Sequence, residues 1–377
     1  IHDSGSLKYR LLDNKELIKA YTWRNFFPLT KIEIISGRFV FGNHLIPSTL
    51  LITFEEAHIT YTSRPAVSCH DLFTHIAKAK AESFKVILAP SPKYNGINDE
   101  PPRFMGEGFV VFQANFLDLY YYQDEPGIVS SEPEKVELPT GDIVERLTSP
   151  AWGLDIKCGK GTHFSYGPWA DRQRYEIYKF FYPQDYQKID PTLKAKSGEL
   201  RQFETFYIRL STLADAAIDT LFQAKDKETK ALHINAGPGS YLEISLPWIT
   251  KETGYHSHIV GQILHLDATT NLDFRSLAES ETLEFNLAIV YPRLWNGHQT
   301  WTCTISGCKA TVQLIYAHKI FFSDLIDDWA SKDRPDILQF VPYTWKLNII
   351  LKDFELVTIE NDYNWIDCST KFNNENS

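Results

Sequence analysis

The sequence has few of the features that mark a cross-linked, membrane-spanning or nucleic-acid-binding protein. Its 377 residues include only five cysteines, with no CxxC pair, and carry a net charge of −10. Five scattered cysteines are too few for a disulfide framework, so we expect a reducing, cytosolic environment. The acidic balance gives no general attraction to nucleic acid or to anionic membrane surfaces. No apolar run approaches the ~18 residues of a membrane-spanning helix.

Short catalytic and metal-binding motifs are also missing, since neither HExxH nor GxSxG occurs. The CGKGT stretch at 158–162 departs from a phosphate-binding loop because a glycine separates its lysine from its threonine, and it predicts a glycine-lined turn instead. His256 and His258 could share a strand face, but no third ligand follows at a suitable spacing. For His265 and Asp267, a cross-strand polar pair is favoured over a catalytic dyad. We therefore predict no catalytic residue and no metal site.

Aromatic and aliphatic residues at alternate positions are abundant. Aromatic side chains make up 14% of the chain, and alternation over short runs is typical of β-strands, of which we expect roughly fourteen. The alternation changes parity across Ser36-Gly37 and again across Glu55-Glu56, which indicates bulges. The clearest alternating runs are Phe206-Ile208-Leu210, Leu242-Ile244-Leu246, Leu283-Phe285-Leu287-Ile289, Val312-Leu314-Tyr316 and Trp345-Leu347-Ile349-Leu351.

Three segments have helical periodicity, at 68–82, 168–182 and 318–331. The second has a proline in its first turn, and its charged cluster is expected to be a solvated face rather than a catalytic site. Its apolar stripe consists of Trp169, Ile177, Phe180 and Phe181.

The chain divides into five parts by composition and pattern. They are a weakly placed leading segment (1–26), a β-rich portion (27–123), an acidic proline-containing loop (124–150), a longer β-rich portion that contains the second and third helices (151–370) and a polar tail (371–377).

The expected strands outnumber the helices that could cover them. Fourteen strands at ~4.8 Å spacing and about 25 Å length would form a face of about 1,700 Å². Three helices of about 15 residues would cover only about 700 Å² of that face. Either a second sheet or an apolar ligand has to cover the rest.

Long runs along the chain resemble one family. FSYGPWADRQR at 164–174 is similar to the signature of the bridge-like lipid transfer proteins of the tweek, or fragile-site-associated, family. The resemblance covers most of the chain from Phe27 onward, apart from loops at 124–150 and 188–199. The other matching runs are SGRFVFGNH (36–44), FEEAHITYT (54–62), NDEPPRFMGEGFVV (98–111), YYYQDEPG (120–127), WGLDIKCGKGT (152–162), GSYLEI (239–244), LHLDATT (264–270), FVPYTW (340–345) and NWIDCST (364–370).

The resemblance implies a mainly β fold, with an open, strongly curved antiparallel sheet built from repeating β-groove modules. It implies non-enzymatic bulk transfer of glycerophospholipids along an apolar groove, from the endoplasmic reticulum to another membrane, often the plasma membrane, at contact sites. This chain would be an N-terminal-side segment of a longer bridge, with the membrane anchor and the binding of adaptor proteins outside it. No cofactor is expected apart from bound phospholipid cargo, and the helix at 168–182 would lie at a module boundary.

On this resemblance, one set of apolar side chains is expected to form the groove floor and to contact lipid. The set is Phe39, Phe41, Ile52, Phe54, Ile208, Leu210, Leu242, Ile244, Leu264, Phe285, Leu287, Val312, Leu314, Leu347 and Ile349.

Two other interpretations fit the residues alone. A closed two-sheet β-sandwich that acts as a protein-interaction scaffold would show the same alternation around a dry core. A carbohydrate-active β protein would account for the many aromatic and acidic residues.

Overall fold

The computed structural model describes residues 29–62, 75–91, 108–123, 134–137, 143–146, 152–181, 206–246, 255–292, 297–330 and 342–358. They form one large curved sheet of 15 strands, a separate two-stranded sheet and two helices. The predicted mainly β, open curved sheet is confirmed. The strands are β1 (Leu29–Phe41), β2 (Ser48–Thr62), β3 (His75–Pro90), β4 (Phe109–Gln123), β5 (Glu134–Glu137), β6 (Ile143–Arg146), β7 (Trp152–Cys158), β8 (Thr162–Tyr166), β9 (Phe206–Thr212), β10 (Ala216–Gln223), β11 (Thr229–Ala236), β12 (Tyr241–Leu246), β13 (Tyr255–Thr270), β14 (Ser276–Tyr291), β15 (Gln299–Leu314), β16 (Tyr343–Lys352) and β17 (Glu355–Thr358).

The two helices are α1 (Pro168–Phe181) and α2 (Tyr316–Trp329), close to two of the three predicted helical segments. Within the described ranges, no helix has the length and apolar character needed to cross a membrane.

The 15 strands of the large sheet lie in eleven columns, because four columns each contain two strands placed end to end. Strand β4 shows the arrangement, since its Leu117 pairs with Cys158 of β7 while its Phe112 pairs with Phe164 of β8. The doubled columns are β7 with β8, β9 with β10, β12 with β11, and β16 with β17.

A line of mostly polar residues crosses the sheet midway along the columns, and we call it the crease. It interrupts the ladders, so that Ile35 pairs with Glu56 and Gly37 pairs with Phe54, while Ser36 between them has no ladder partner. Several crease residues adopt the left-handed conformation, with φ of 56° at Ser36. On the long strands the crease consists of Ser36, Glu55, Ser83, Asn115, His265, Glu281 and Lys309, with Asp353 between β16 and β17.

In the doubled columns, the crease passes through the turns between the two strands. The CGKGT stretch forms one of these turns, as predicted, and the Gly159 N–H donates to the Phe116 carbonyl oxygen at 2.8 Å. The Asn115 N–H donates to the Lys160 carbonyl oxygen at 3.0 Å, so the turn stays bonded to β4 at the crease.

Side-chain alternation changes parity at the crease. Phe54 and Ala57 of β2, and likewise Ala114 and Leu117 of β4, belong to one buried cluster although each pair is three residues apart. Because residues three apart on a regular strand face opposite sides, the crease keeps the apolar residues of both strand halves on one face. The parity changes predicted in β1 and β2 are present, but the predicted bulges are not, because no extra residue is inserted and the register is the same on both sides of the crease.

The sheet has an apolar side, which we call the groove face, and an outer face. The crease divides the groove face into two walls. The helix wall consists of the strand halves on the side of β8, β10, β11 and β17. The far wall consists of the strand halves on the side of β7, β9, β12 and β16.

The eleven columns form two five-column modules and the start of a third. The first module comprises β1 to β4 and β7 with β8, and α1 follows it; the second runs from β9 to β15, and α2 follows it. Most neighbouring strands are antiparallel, but β7 with β9, β8 with β10, and β15 with both β16 and β17 are parallel. The sheet is therefore mixed rather than wholly antiparallel, because each module begins on the same side of the groove as the module before it.

The helix predicted at 68–82 is contradicted over its described part, where β3 begins at His75. Alanine, lysine and glutamate favour helices in isolation. In this stretch, however, Ala77, Ala79 and Ala81 alternate with lysines, and the small side chains pair with the groove face of the neighbouring strands. Tertiary pairing overrides local propensity here.

Other predicted parts fall wholly or partly outside the described residues. The acidic loop at 124–150 contains a described hairpin of β5 and β6. The segments at 1–26, 188–199 and 371–377 lie outside the described residues.

The left-handed backbone at the crease predicts a position-specific sensitivity to β-branched residues. Replacing Ser36 by valine is expected to cost about 1–2 kcal/mol of unfolding free energy, because a β-branched side chain is strained at positive φ. Urea unfolding of Ser36→Val and Ser306→Val provides the comparison, since Ser306 lies within β15 at an ordinary φ. Equal losses in the two variants would contradict this account of the crease.

Candidate functional site

The far wall presents two continuous apolar rows that run across the strands. Register places Leu242 of β12 beside Leu210 of β9 on one side and Gly261 of β13 on the other, and the series continues to the last column. Seven columns at ~4.8 Å give each row a length of about 29 Å. One row is Ile156, Leu210, Leu242, Gly261, Phe285, Ile305 and Ile349, and the other is Leu154, Ile208, Ile244, Ile259, Leu287, Cys303 and Leu347.

A glycine in the first row is filled from the neighbouring strand. A Cβ added at Gly261 would overlap the Phe285 ring, which therefore lies flat across β13. Gly37 and Phe54 repeat this arrangement on the helix wall. The rings close the gaps that glycine would otherwise leave in the apolar rows.

Charge is confined to the outer face of the far wall. From β1 to β16, no groove-face residue of the described far wall is Asp, Glu, Lys or Arg. On the outer face of the same strands, Asp155 pairs with Arg209, which pairs with Glu243 in the next column. The two faces thus differ sharply in the environments that they offer a ligand.

The groove face remains partly exposed even in the middle of the sheet. Ile208, Leu242 and Phe285 are only partly buried, and Leu347 and Ile349 near the last edge are 60% and 59% exposed. The separate two-stranded sheet has strands of only four residues each. In the described part of the chain no second sheet covers the groove, which argues against the closed sandwich.

Helix α1 covers part of the helix wall. Its Trp169 and Ile177 are buried in a cluster with Leu50, Leu88 and Phe109 of the groove face. The rings of Trp169 and Phe109 meet edge to face, with centroids 5.7 Å apart. This helix lies at the boundary of the first and second modules. The side chains of Phe180 and Phe181 lie outside the described residues.

Helix α2 covers the helix wall of the second module. Phe321 of α2 is fully buried against Phe222 of β10, with ring centroids 4.8 Å apart. Lys230 is a charged residue on this groove face, and its Nζ donates to Asp324 Oδ2 of α2 at 2.9 Å. The pair is largely buried, with side-chain exposures of 14% and 5%. Burial makes the two groups dependent on each other.

The charged residues of the FSYGPWADRQR stretch fix the helices in place. The Tyr166 hydroxyl donates to Asp171 Oδ1 at 2.6 Å, and Arg174 donates to the same oxygen. Burial alone would raise the pKa of Asp171, but these hydrogen bonds hold it below its ordinary value. Arg172 binds Asp328 of α2 through Nη2 at 3.1 Å. These contacts have a structural role.

The structure brings fourteen of the fifteen expected floor residues together on the groove face. Those on the helix wall are Phe39, Phe41, Ile52, Phe54, Val312 and Leu314. Those on the far wall are Ile208, Leu210, Leu242, Ile244, Phe285, Leu287, Leu347 and Ile349.

Leu264 does not lie with this set. Ile263 pairs with Leu283 on the groove face, so Leu264, one residue later and opposite Thr282, lies on the outer face. The crease at His265, whose φ is 49°, then restores Leu266 to the groove face.

Sequence reasoning missed several groove-face residues between the expected ones. Ile156 and Ile259 complete the two rows, as do Cys303 and Ile305 of β15. For Cys303 and Ile305, the signal in the sequence is the alternation of Trp301, Cys303 and Ile305, which two threonines separate.

The outer face carries the potential metal ligands among the described residues. Glu33, Glu56 and His58 lie close together, and His58 Nε2 is 2.6 Å from Glu56 Oε1. His258 faces outward on β13, and burial lowers its pKa. None of these groups faces the groove.

The sequence comparisons agree with the fold. The profile described as the BLTP1-like family N-terminal region matches residues 12–377. The chain belongs to this family. The family resemblance predicted from the sequence is thereby confirmed.

The curated relatives are much longer than this chain. Bridge-like lipid transfer protein family member 1 of Homo sapiens is 51% identical over 354 residues, which cover 93% of this chain and 7% of that protein. The protein of the same name from Danio rerio is 50% identical over 353 residues, with the same coverage. Protein CSF1 of Saccharomyces cerevisiae is 21% identical over 336 residues, which cover 83% of this chain and 11% of that protein. No solved structure matches the chain.

The buried ion pair on the helix wall predicts a strong and reversible loss of stability. Asp324→Ala should cost about 3 kcal/mol of unfolding free energy, because it leaves the Lys230 ammonium without its buried partner. The double variant Lys230→Met with Asp324→Leu should recover most of this loss, as measured by urea unfolding. A harmless Asp324→Ala substitution would show that the pair does not hold α2.

Burial on the groove face also predicts an unreactive thiol. Burial raises the pKa of Cys158 to about 12, so below that pH it stays a neutral thiol. Iodoacetamide at mildly alkaline pH should leave Cys158 unmodified in the folded protein and alkylate it in urea, as read by mass spectrometry. The partly buried Cys308 is the internal reference. Rapid alkylation of Cys158 in the folded state would disprove the burial.

Proposed function

We propose that this chain is one segment of a non-enzymatic conduit that carries glycerophospholipids between membranes, with their acyl chains on the groove face. The observation that carries this proposal is the far wall, an uncharged apolar surface that stays partly exposed in the middle of the sheet. Membership of a family whose relatives are named as bridge-like lipid transfer proteins supports it.

Hydrocarbon suits this surface energetically. Each buried methylene contributes about 0.8 kcal/mol when it leaves water. The two rows repeat similar aliphatic contacts from column to column, so an acyl chain that slides along them exchanges one contact for an equivalent one. A surface with these repeated weak contacts favours movement over capture at one position.

Transfer of this kind needs no catalytic group, and the bound phospholipid is cargo rather than a cofactor. The chain spans 7% of the length of the human relative. We therefore assign attachment to the endoplasmic reticulum, contact with an acceptor membrane such as the plasma membrane, and the binding of adaptor proteins to parts outside this chain. The site of action would be a membrane contact site.

Charges placed on the far wall should stop transfer. In the complete protein, the triple substitution Ile208→Asp, Leu242→Asp and Phe285→Asp is expected to reduce phospholipid transfer between donor and acceptor liposomes at least tenfold. An acyl chain would have to pass ionised groups, each of which opposes desolvation. A fluorescence-dequenching assay with labelled phospholipid measures the rate.

The matched control adds the same charges to the outer face of the same strands. Ser211→Asp, Ser245→Asp and Asn286→Asp should leave transfer near the wild-type rate, because these positions face away from the groove. Undiminished transfer by the groove variant, with its secondary structure intact, would rule out the far wall as the path.

A further inference from the structure

The two edges of the groove carry different side chains. The far lip is the outer end of the far wall. Trp152 and Phe206 stack there with ring centroids 5.2 Å apart, and Trp301 lies 5.0 Å from Trp345. The outermost groove-face aromatic residues of this lip include Tyr61, Tyr121, Trp152, Phe206, Tyr291, Trp301 and Tyr343.

Neutral polar atoms accompany these rings. The Tyr121 hydroxyl donates to Gln123 Oε1 at 3.2 Å, and Trp301 Nε1 donates to Gln299 Oε1 at 2.9 Å. Both glutamines occupy the same lip on the groove face, beyond the aliphatic rows. The far lip is therefore an amphipathic band of rings and uncharged hydrogen-bonding groups.

The helix lip, at the outer end of the helix wall, has a different character. Phe109 lies under Trp169 of α1, and Phe222 lies under Phe321 of α2. A cation at this lip, Lys230, is already bound to α2. Of the two described helices, neither packs on the far lip.

We propose that each phospholipid lies with its acyl chains toward the crease and its glycerol and headgroup at the far lip. The inference rests on the proposed function, and it adds an orientation and a headgroup-contacting site. Tyr and Trp rings favour boundaries at which one end is apolar and the other wet, as at membrane interfaces. The far lip provides such a boundary along the groove.

The opposite orientation would be unfavourable for a clear reason. Where α1 and α2 lie on the helix lip, a headgroup would meet Phe109 and Phe222, which these helices already cover. An unmatched polar group there loses its hydration without gaining a partner. At the far lip, the headgroup keeps water on one side and meets rings and amide groups on the other.

Photolabelling of the complete protein tests the orientation. The protein is loaded with either of two phosphatidylcholine probes, one with a diazirine on the headgroup and one with a diazirine near the end of an acyl chain. After irradiation, labelled residues are located by peptide mass spectrometry. We expect the headgroup probe to label Phe206 and Trp301 several-fold more than Phe41 and Leu314, and the acyl probe to label Leu242 and the other aliphatic rows.

The outcomes separate the two proposals. If the acyl probe labels the rows but the headgroup probe labels the helix lip as strongly as the far lip or more strongly, the proposed orientation is wrong and the conduit proposal stands. Failure of both probes to label the groove would remove the conduit and the orientation together.

As a matched pair, Trp301→Leu should lower headgroup labelling at the far lip several-fold, whereas Trp329→Leu on α2 should not. An equal drop in both variants would also overturn the orientation.

Discussion

The reversal of side-chain parity at the crease is the constraint on which the groove depends. A regular strand alternates strictly, so a sharp bend needs a place where two successive residues face the convex side. Glu55 and Glu56 provide that place on β2, between the inward-facing Phe54 and Ala57. Without the reversal, one of the two walls would turn its polar residues inward, and the apolar surface would end at the bend.

The composition of the crease follows from this geometry. Its side chains lie on the convex side in water, where short polar and charged residues are favourable. The Ser83 hydroxyl donates to Glu55 at 2.9 Å, and Lys309 pairs with Glu281 at 2.7 Å. Exposed pairs of this kind add little stability individually. We therefore assign them the role of aligning the bends of neighbouring strands at the crease. The register on both sides of the crease stays in step because adjacent strands bend together.

Local alternation in the sequence predicted much of the groove face and two of the crease positions. It failed at Leu264 because Leu264 and Leu266 alternate smoothly through the crease, which hides the reversal at His265. It failed at β3 because small alanines between lysines resemble a helix until their strand partners are known. The doubled columns and the parallel pairs depend on contacts between distant segments, for which a single sequence has no local signal. The aromatic band at the far lip was missed for the same reason, since its members come from separate strands.

The five-column module has a consequence for longer assemblies of the same kind. Five is odd, so a chain that enters a module at one margin of the trough leaves it at the other, and the next module re-enters at the first. Every crossover helix is then delivered to the same margin, however many modules are joined. A four- or six-stranded unit would return the chain to its starting margin and would lose this bias. The placement of all crossover helices at one margin of the trough therefore follows from the odd number of columns in each module.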